Sequence, residues 1–162
     1  MEYLWSPWRF RYVSGADQPG HCVFCKLAGA EPAHDPENLI LHRGRFNFIV
    51  LNLYPYTTGH ALVVPYAHVA QIVELQAESM AEMMEMTQKL NAATEAAYHP
   101  DGYNLGMNIG KAAGAGVADH LHLHFLPRWF GSSNFITVIG EARVLPEDLK
   151  TTYDKLASFF RG

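Results

Sequence analysis

The chain has 162 residues and a formal net charge of -4, with 49% hydrophobic and 17% charged residues. This composition is typical of a globular protein and excludes a disordered chain, while the acidic balance disfavours long nucleic acid as a partner. We expect a single domain over residues 1–162, beginning with an irregular, aromatic-rich arm over 1–20.

Membrane insertion is also disfavoured by the sequence. No apolar stretch approaches the roughly 20 residues of a membrane span, and residues 1–9 lack the apolar segment of a signal peptide. We therefore expect a cytoplasmic protein without a membrane partner. In a reducing compartment the cysteine pair Cys22 and Cys25 is more often a metal half-site or a redox pair than a disulfide.

Hydrophobic periodicity and turn residues predict five strands, over 39–42, 46–51, 60–65, 103–109 and 120–126, with 135–139 as a candidate sixth. Residues 43–45 are the predicted turn of the first hairpin. Helices are predicted over 22–30, 77–98 and 146–160. Because hairpins connect most of the strands, we predict an α+β fold with helices packed on one face of a mainly antiparallel sheet of about five strands.

The long helix carries small and apolar residues at steps of three and four, which we interpret as its buried face. These residues are Met80, Met83, Met84, Thr87, Leu90, Ala93, Thr94 and Ala97. A methionine-rich stripe of this kind can form a binding surface, but more often it is ordinary core.

Residues 120–125 alternate histidine with an apolar side chain. In a strand this places His120, His122 and His124 on one face, about 6.6 to 7 Å apart, and the apolar side chains on the other. Three explanations compete. The histidines are structural and find polar partners, they bind a metal ion, or one of them is a nucleophile that attacks phosphorus.

Several segments together resemble one known family. Residues 120–126 (His-Leu-His-Leu-His-Phe-Leu), 59–65 (Gly-His-Ala-Leu-Val-Val-Pro) and 22–26 (Cys-Val-Phe-Cys-Lys) resemble motifs of the histidine triad family of nucleotide hydrolases and transferases. Residues 5–9 (Trp-Ser-Pro-Trp-Arg) and 127–129 (Pro-Arg-Trp) resemble its bacterial branch that includes diadenosine tetraphosphate phosphorylases. The resemblance covers roughly residues 1–140 and implies the family's fold.

The resemblance implies catalytic roles for three histidines. His122 would attack the α-phosphorus of a nucleotide and form a nucleotidyl-imidazole intermediate, which water or phosphate then resolves. His124 would bind the phosphate or aid the leaving group, with His60 beside it, although an ordinary hydrogen-bonded role for His60 stays open. Asn52 is implied at the ribose hydroxyls and Leu53 beside the base.

The glycine-rich loop over 109–116 precedes the histidines, and its small residues let backbone amides approach a phosphate, although turn geometry explains it equally well. The resemblance implies phosphate contacts at Asn108, Gly116 and Val117 and a substrate contact at Trp129. This loop is one residue longer than the commonest family pattern, and Gly116-Val117 stands where many members have Ser or Thr. Backbone donors would then carry the phosphate contacts.

The resemblance further implies a structural zinc ion and no organic cofactor. Its ligands would be Cys22, Cys25, His68 and His120. A closed four-ligand site stabilises the fold without performing chemistry. The alternative is a pair of free thiols, with His68 capping the segment that follows it.

We expect an enzyme that cleaves dinucleoside polyphosphates, such as diadenosine tetraphosphate, through a covalent nucleotidyl-histidine. The alternatives are an adenosine monophosphoramidase of the same family, a non-catalytic nucleotide-binding module, and a redox or metal protein built on the two cysteines. The expected ligand is an adenine nucleotide or a dinucleoside polyphosphate. Because family members pair through the long helix and a sheet edge, we expect a homodimer, or a tetramer if Tyr3, Trp5 and Trp8 add contacts.

Overall fold

The computed structural model describes residues 22–132, 137, 139 and 145–161. Within these ranges one sheet contains β1 (Ile40–Arg43), β2 (Asn47–Leu51), β3 (Ala61–Pro65), β4 (Gly102–Gly106) and β5 (Leu123–Arg128). The helices are α1 (Val23–Ala28), α2 (Ala77–Tyr98) and α3 (Leu149–Ala157). All described pairings are antiparallel, in the order β1-β2-β3-β5-β4, so the predicted α+β class is confirmed. The arm over 1–20 and most of the candidate strand over 135–139 lie outside the described residues.

Strand alternation divides the core between the two faces of the sheet. One face packs against α2 and α3 and contributes Ile49, Leu51, Ala61, Val63, Leu121, Leu123 and Phe125. The other face contributes Phe48, Val50, Leu62 and Val64, which pack with Phe24 of α1. The two longer helices therefore share a face as expected, while the short α1 covers part of the opposite face. His124 pairs with Leu62 and belongs to this second face.

A single carboxylate from α2 holds the turn between β1 and β2. Glu82 accepts hydrogen bonds from the backbone N–H groups of Arg45, Phe46 and Asn47 at 2.7, 2.7 and 2.8 Å. Burial raises the pKa of Glu82, but these donors and the Asn47 side chain outweigh it and lower the pKa below its ordinary value. The turn starts one residue later than predicted, because Arg43 still pairs in β1.

Arg43 fixes α1 relative to the sheet. Its guanidinium donates to the carbonyls of Leu27, Ala28 and Ala30 at 3.1 to 3.2 Å, and these are the last carbonyls around the end of α1. It also forms an ion pair with Asp35, 2.8 Å away. A planar guanidinium with five donors suits this combination of acceptors. The position of α1 therefore depends on Arg43 of β1 as well as on Phe24, the buried residue of α1.

The helix α2 occupies the predicted range, but its buried face differs from the prediction. Met83, Thr87 and Leu90 are buried as expected, whereas Met80 and Met84 are exposed. Met86 belongs to the buried face instead, as the helical period of 3.6 residues allows. The sequence analysis did not include Met86 in this face. No helix in the described parts of the chain is long and apolar enough to cross a membrane.

The helix α3 is shorter than the predicted span 146–160. It begins after Asp148, whose side chain caps the helix by accepting the N–H of Thr151 at 2.8 Å. An aspartate is a strong N-cap and overrides the start suggested by Pro146, which lies two residues before it. Tyr153 and Leu156 are buried, as the pattern predicts.

The strand β5 begins at Leu123, not at His120 as predicted. The partner strand β3 pairs only as far as Val63 with Leu123. Before Leu123 the chain is not paired with β3. There the N–H of Leu121 donates to the carbonyl of Val69 at 2.7 Å. Side chains before β5 still alternate between the two faces of the sheet, since Leu121 and Leu123 both belong to the larger core. The prediction for β4 also extended too far, because its pairing ends at Gly106.

Candidate active site

Three of the predicted catalytic residues form one buried cluster. His60, His122 and His124 are only 1%, 4% and 9% exposed. The ring centroids are 5.2 Å apart for His60 and His124 and 4.9 Å apart for His122 and His124. β3 and β5 are neighbours in the sheet, which explains how His60, just before β3, reaches the histidine row.

A backbone carbonyl sets the orientation of His122. Its Nδ1 lies 2.9 Å from the carbonyl oxygen of His120. Because a carbonyl can only accept, we assign the ring proton to Nδ1, which leaves a lone pair on Nε2. Burial lowers the pKa of His122 below its ordinary value, against the opposing effect of the hydrogen bond to His120. The neutral ring therefore presents an unprotonated nitrogen, as a nucleophile requires.

A relay of hydrogen bonds fixes the other two imidazoles. The backbone N–H of Tyr56 donates to Nδ1 of His60 at 3.1 Å, so a neutral His60 carries its proton on Nε2. That nitrogen lies 2.9 Å from Nδ1 of His124 and donates to it. The proton of His124 is then on Nε2. The relay ends in a ring N–H donor that a bound phosphate could accept.

The same cluster disfavours positive charge. Burial lowers the pKa of His60 to about 3, with smaller contributions from His124 and His122. Burial and then His122 lower the pKa of His124 to about 4. These imidazoles remain neutral near pH 7, so the tautomers above persist over the physiological range.

Asn52 and Leu53, the predicted nucleoside contacts, follow β2, and Asn52 lies beside His60 of the histidine cluster. The Asn52 side-chain oxygen accepts the N–H of Tyr54 at 2.9 Å, and its nitrogen lies 3.3 Å from Nε2 of His60. Both residues line a cavity of about 220 Å³. The remaining wall is mainly apolar and includes Val23, Phe24, Leu27, Leu39, Val50 and Leu62.

The sequence analysis did not predict any role for Phe24. Its ring is buried with its centroid 4.9 Å from that of His122 and 5.4 Å from that of His120. Phe24 therefore contacts both His122 of the histidine cluster and His120 of the predicted metal site. The only signal was an aromatic residue inside the Cys-x-x-Cys segment, which is equally typical of a core residue.

The remaining predicted substrate residues separate into two groups. Trp129 lines a second cavity of about 500 Å³, together with Tyr56. Val117 is buried in the smaller core with Phe24. Among these described residues, Asn108, Gly116 and Val117 line neither cavity. Their phosphate contacts stay a prediction.

The four predicted metal ligands are brought together at the other end of the histidine run. The ligand atoms of Cys22, Cys25, His68 and His120 all lie within 4.8 Å of one another. Sγ of Cys22 is 3.3 Å and Sγ of Cys25 is 3.6 Å from Nδ1 of His120, and Sγ of Cys25 is 3.1 Å from Nδ1 of His68. Two thiols and two imidazoles are a donor set of closed tetrahedral zinc sites, so these four residues fit zinc.

One further observation agrees with a metal site. Nε2 of His120 lies 2.9 Å from the carbonyl of Pro65, which directs its Nδ1 toward the sulfurs. Metal-binding histidines commonly donate their second nitrogen in this way.

An antiparallel α+β fold, a row of buried neutral imidazoles and a cysteine-histidine group at its end define the histidine triad class of proteins. The model of the HIT domain family matches residues 33–131. The chain belongs to this family, and the resemblance inferred from the motifs is confirmed.

Comparisons with individual proteins agree with this assignment. The chain is 38% identical to the AP-4-A phosphorylase of Mycobacterium tuberculosis over 167 residues, covering 98% of this chain and 84% of that protein. It is 29% identical to an adenosine 5'-monophosphoramidase of Schizosaccharomyces pombe over 139 residues, covering 85% of this chain and 96% of that protein. Among solved structures, a Zn-bound histidine triad family protein from Mycobacterium smegmatis superposes with a TM-score of 0.67 at 28% identity, covering 85% of this chain and 91% of that chain.

Proposed function

We propose that this protein is a nucleotidyl hydrolase or transferase that cleaves dinucleoside polyphosphates, with diadenosine tetraphosphate as a representative substrate. The observation that carries the proposal is the pair of fixed tautomers. His122 has an unprotonated Nε2, and His124 has an N–H donor at its Nε2. The centroids of the two rings are 4.9 Å apart. The similarity to an AP-4-A phosphorylase supports the substrate class.

The first step forms a covalent intermediate. Nε2 of His122 bonds to the α-phosphorus, the bond from that phosphorus to the bridging oxygen breaks, and its electron pair leaves with the polyphosphate half. The Nε2–H of His124 donates to an oxygen that gains negative charge, while His60 holds the His124 ring in position. The carbonyl of His120 stabilises the positive charge that develops on His122.

The second step releases the nucleotide. Water or inorganic phosphate attacks the same phosphorus, the bond to His122 breaks, and the electron pair returns to the imidazole. The attacking molecule loses a proton to solvent. Diadenosine tetraphosphate then yields ATP and AMP with water, or ATP and ADP with phosphate.

We assign the retained nucleoside to the cavity of about 220 Å³. Its apolar wall suits a base, and the Asn52 amide beside His60 suits a ribose diol. Leu53 covers the base, and the backbone near Asn108, Gly116 and Val117 donates to the phosphate.

We also propose a structural zinc ion held by Cys22, Cys25, His68 and His120. All four positions are taken by protein, so zinc supplies folding energy rather than an activated water. It would hold α1, and with it Phe24, against His122. The zinc-bound relative from Mycobacterium smegmatis supports the choice of metal.

We propose that the protein is a cytoplasmic homodimer built on α2 and the edge strand β4. Met80 and Met84 of α2 and Leu105 of β4 are large exposed apolar side chains. The strand β4 contacts the C-terminal half of α2, where the Tyr103 hydroxyl donates to Glu95 at 3.0 Å. Light scattering should give the mass of a dimer for the wild-type protein and a lower mass for the Leu105→Lys variant. The mass of a monomer for both proteins would contradict the interface.

The function is tested by product analysis. Purified protein is incubated with diadenosine tetraphosphate, with and without phosphate, and separately with an adenosine phosphoramidate. ADP that forms only with phosphate shows phosphorolysis, and AMP with ATP shows hydrolysis. Turnover of the phosphoramidate alone would instead favour the phosphoramidase alternative, which the Schizosaccharomyces pombe relative represents. No product from either compound would overturn the enzyme assignment.

A further inference from the structure

Two short segments outside the sheet bound the cavity of about 220 Å³. One is α1, which has only six residues, and a helix of this length is not stable on its own in water. The other is the segment over 37–39, which lies between α1 and β1. Their cavity-lining residues are Val23, Phe24 and Leu27 of α1 and Glu37, Asn38 and Leu39 of the second segment. The shape of the cavity therefore depends on what holds these two segments in place.

Arg43 of β1 binds the end of α1 and the start of the second segment with one guanidinium. It donates to the carbonyls of Leu27 and Ala30 at 3.2 Å and to that of Ala28 at 3.1 Å. Its Nε also lies 3.0 Å from each carboxylate oxygen of Asp35, and its Nη2 lies 2.8 Å from Oδ1. The two side chains of this ion pair are only 17% and 19% exposed, so salt screens it less than a surface pair.

Asp35 extends this restraint to the second wall of the cavity. Its carbonyl accepts the N–H of Ile40 at 2.9 Å, and within this turn the N–H of Asn38 donates to the carbonyl of His34 at 3.0 Å. Leu39 has a φ of 58°, a left-handed conformation that is costly for leucine and persists only where surrounding contacts impose it. The anchor at Asp35 thus helps to hold a strained residue that lines the cavity.

The two ends of α1 are held by different groups. The proposed zinc ligands Cys22 and Cys25 lie at its start, together with Phe24, whose ring contacts His122. Arg43 binds the carbonyls at its end. Loss of the guanidinium would therefore release the end of α1 and the second segment, while the metal ligands still keep Phe24 beside the nucleophile.

We propose that Arg43 is a positioning residue for nucleoside binding, which together with Asp35 holds both walls of the cavity in the arrangement that fits a base. The inference rests on the proposed function, which places the base of the retained nucleoside in this cavity. Because Arg43 acts on the base pocket and not on the histidine cluster, its loss affects affinity and KM rather than kcat.

The test compares the binding of two ligands to one variant. AMP has a base that fills the cavity, whereas ribose 5-phosphate has the same sugar and phosphate without a base. Arg43→Gln should weaken equilibrium binding of AMP about tenfold, the scale of one lost charge-assisted hydrogen bond, and change that of ribose 5-phosphate by less than about twofold. Equal losses for both ligands, which a general loss of structure would cause, would overturn the proposal. Unchanged binding of AMP would overturn it as well.

Two further variants control for folding and for charge. Arg43→Lys keeps the positive charge beside Asp35 but lacks the planar fork that reaches the three carbonyls, so it should fold and still weaken AMP binding by about fivefold. If Arg43→Gln does not fold, the lysine variant decides with the same two ligands, and wild-type affinity for AMP would overturn the proposal. Arg45→Gln is the matched control, since it removes an exposed arginine whose guanidinium lies over the ring of Phe46, and it should bind AMP as the wild type does.

Kinetics provide a second measurement and separate this inference from the proposed function. Arg43→Gln should raise KM for diadenosine tetraphosphate about tenfold and change kcat by less than about twofold. A lower kcat with an unchanged KM would overturn the proposal. If the wild-type protein turns over neither diadenosine tetraphosphate nor the phosphoramidate, the proposed function fails, yet the comparison of AMP with ribose 5-phosphate still decides the role of Arg43.

Discussion

His120 and His122, at the two ends of the histidine run's first turn of alternation, are oriented by the same kind of contact, but through opposite ring nitrogens. In each case a backbone carbonyl binds one imidazole nitrogen and leaves the other free. Pro65 binds Nε2 of His120, so that Nδ1 faces the cysteines. The carbonyl of His120 binds Nδ1 of His122, so that Nε2 is available as a nucleophile. The choice of nitrogen therefore separates the proposed metal ligand from the proposed nucleophile two residues away.

This division depends on the irregular backbone before β5. In a continued antiparallel ladder the carbonyl of His120 would be directed at a neighbouring strand. The observed pairing ends at Leu123, which frees that carbonyl for the ring of His122. The departure from regular strand geometry thus orients the ring of His122, the proposed nucleophile.

The largest expected effect is at the nucleophile. His122→Asn should reduce turnover of diadenosine tetraphosphate by at least about 1,000-fold, because an amide cannot form the covalent intermediate, while zinc content stays unchanged. Steady-state assays and metal analysis check both statements. His34→Asn, at an exposed histidine far along the chain, is the matched control. Loss of zinc in His122→Asn would show that the two ends are not separate.

The relay between His60 and His124 should produce a smaller and non-additive loss. His124→Ala is expected to lower kcat by about 100-fold, since it removes the donor to the leaving group. Because His60 acts through His124, the double variant with His60→Asn should lose little more than the single variant. A double-mutant cycle measures this coupling, and losses that multiply would contradict the relay.

At the metal end the main effect should be on stability. Cys25→Ser should abolish zinc binding and lower the free energy of unfolding by about 3 to 4 kcal/mol, as expected when a ligand present at 100 to 1,000 times its Kd is lost. Thermal denaturation should show a decrease of about 6 to 16 °C in Tm. Wild-type protein treated with a chelator should show the same change. A Cys25→Ser protein of unchanged Tm would argue against a structural metal.

The buried neutral imidazoles should also make stability depend on pH. The pKa values of His60 and His124 are lowered to about 3 and about 4 in the folded state, so between these values and about 6.5 the unfolded chain binds more protons. Stability should therefore fall as the pH decreases through this window, on the order of 1 kcal/mol per pH unit for each histidine. Urea denaturation of His60→Asn should show a shallower dependence than wild type, and an identical slope would contradict these pKa shifts.

The sequence predicted much of the fold and the membership of both clusters. Alternation at 120–125 and the Cys-x-x-Cys spacing are strong local patterns, so His122, His124, Cys22 and Cys25 could be identified as candidates without coordinates. The tautomers could not, because they depend on individual backbone groups, the carbonyls of Pro65 and His120 and the N–H of Tyr56, whose positions leave no pattern in the sequence. Phe24 and Tyr56 were missed for a similar reason, since a ring contact across the fold leaves no periodic signal.

The separation of roles along the histidine run is the central claim, and one measurement on two variants tests it. Protein quenched during turnover of diadenosine tetraphosphate is analysed by intact mass for a nucleotidyl adduct and by elemental analysis for zinc. His68→Gln, which alters an exposed ligand, should lose zinc and still form the adduct. His122→Asn should keep zinc and form no adduct. An adduct in His122→Asn, or its absence from a folded His68→Gln protein, would contradict the account.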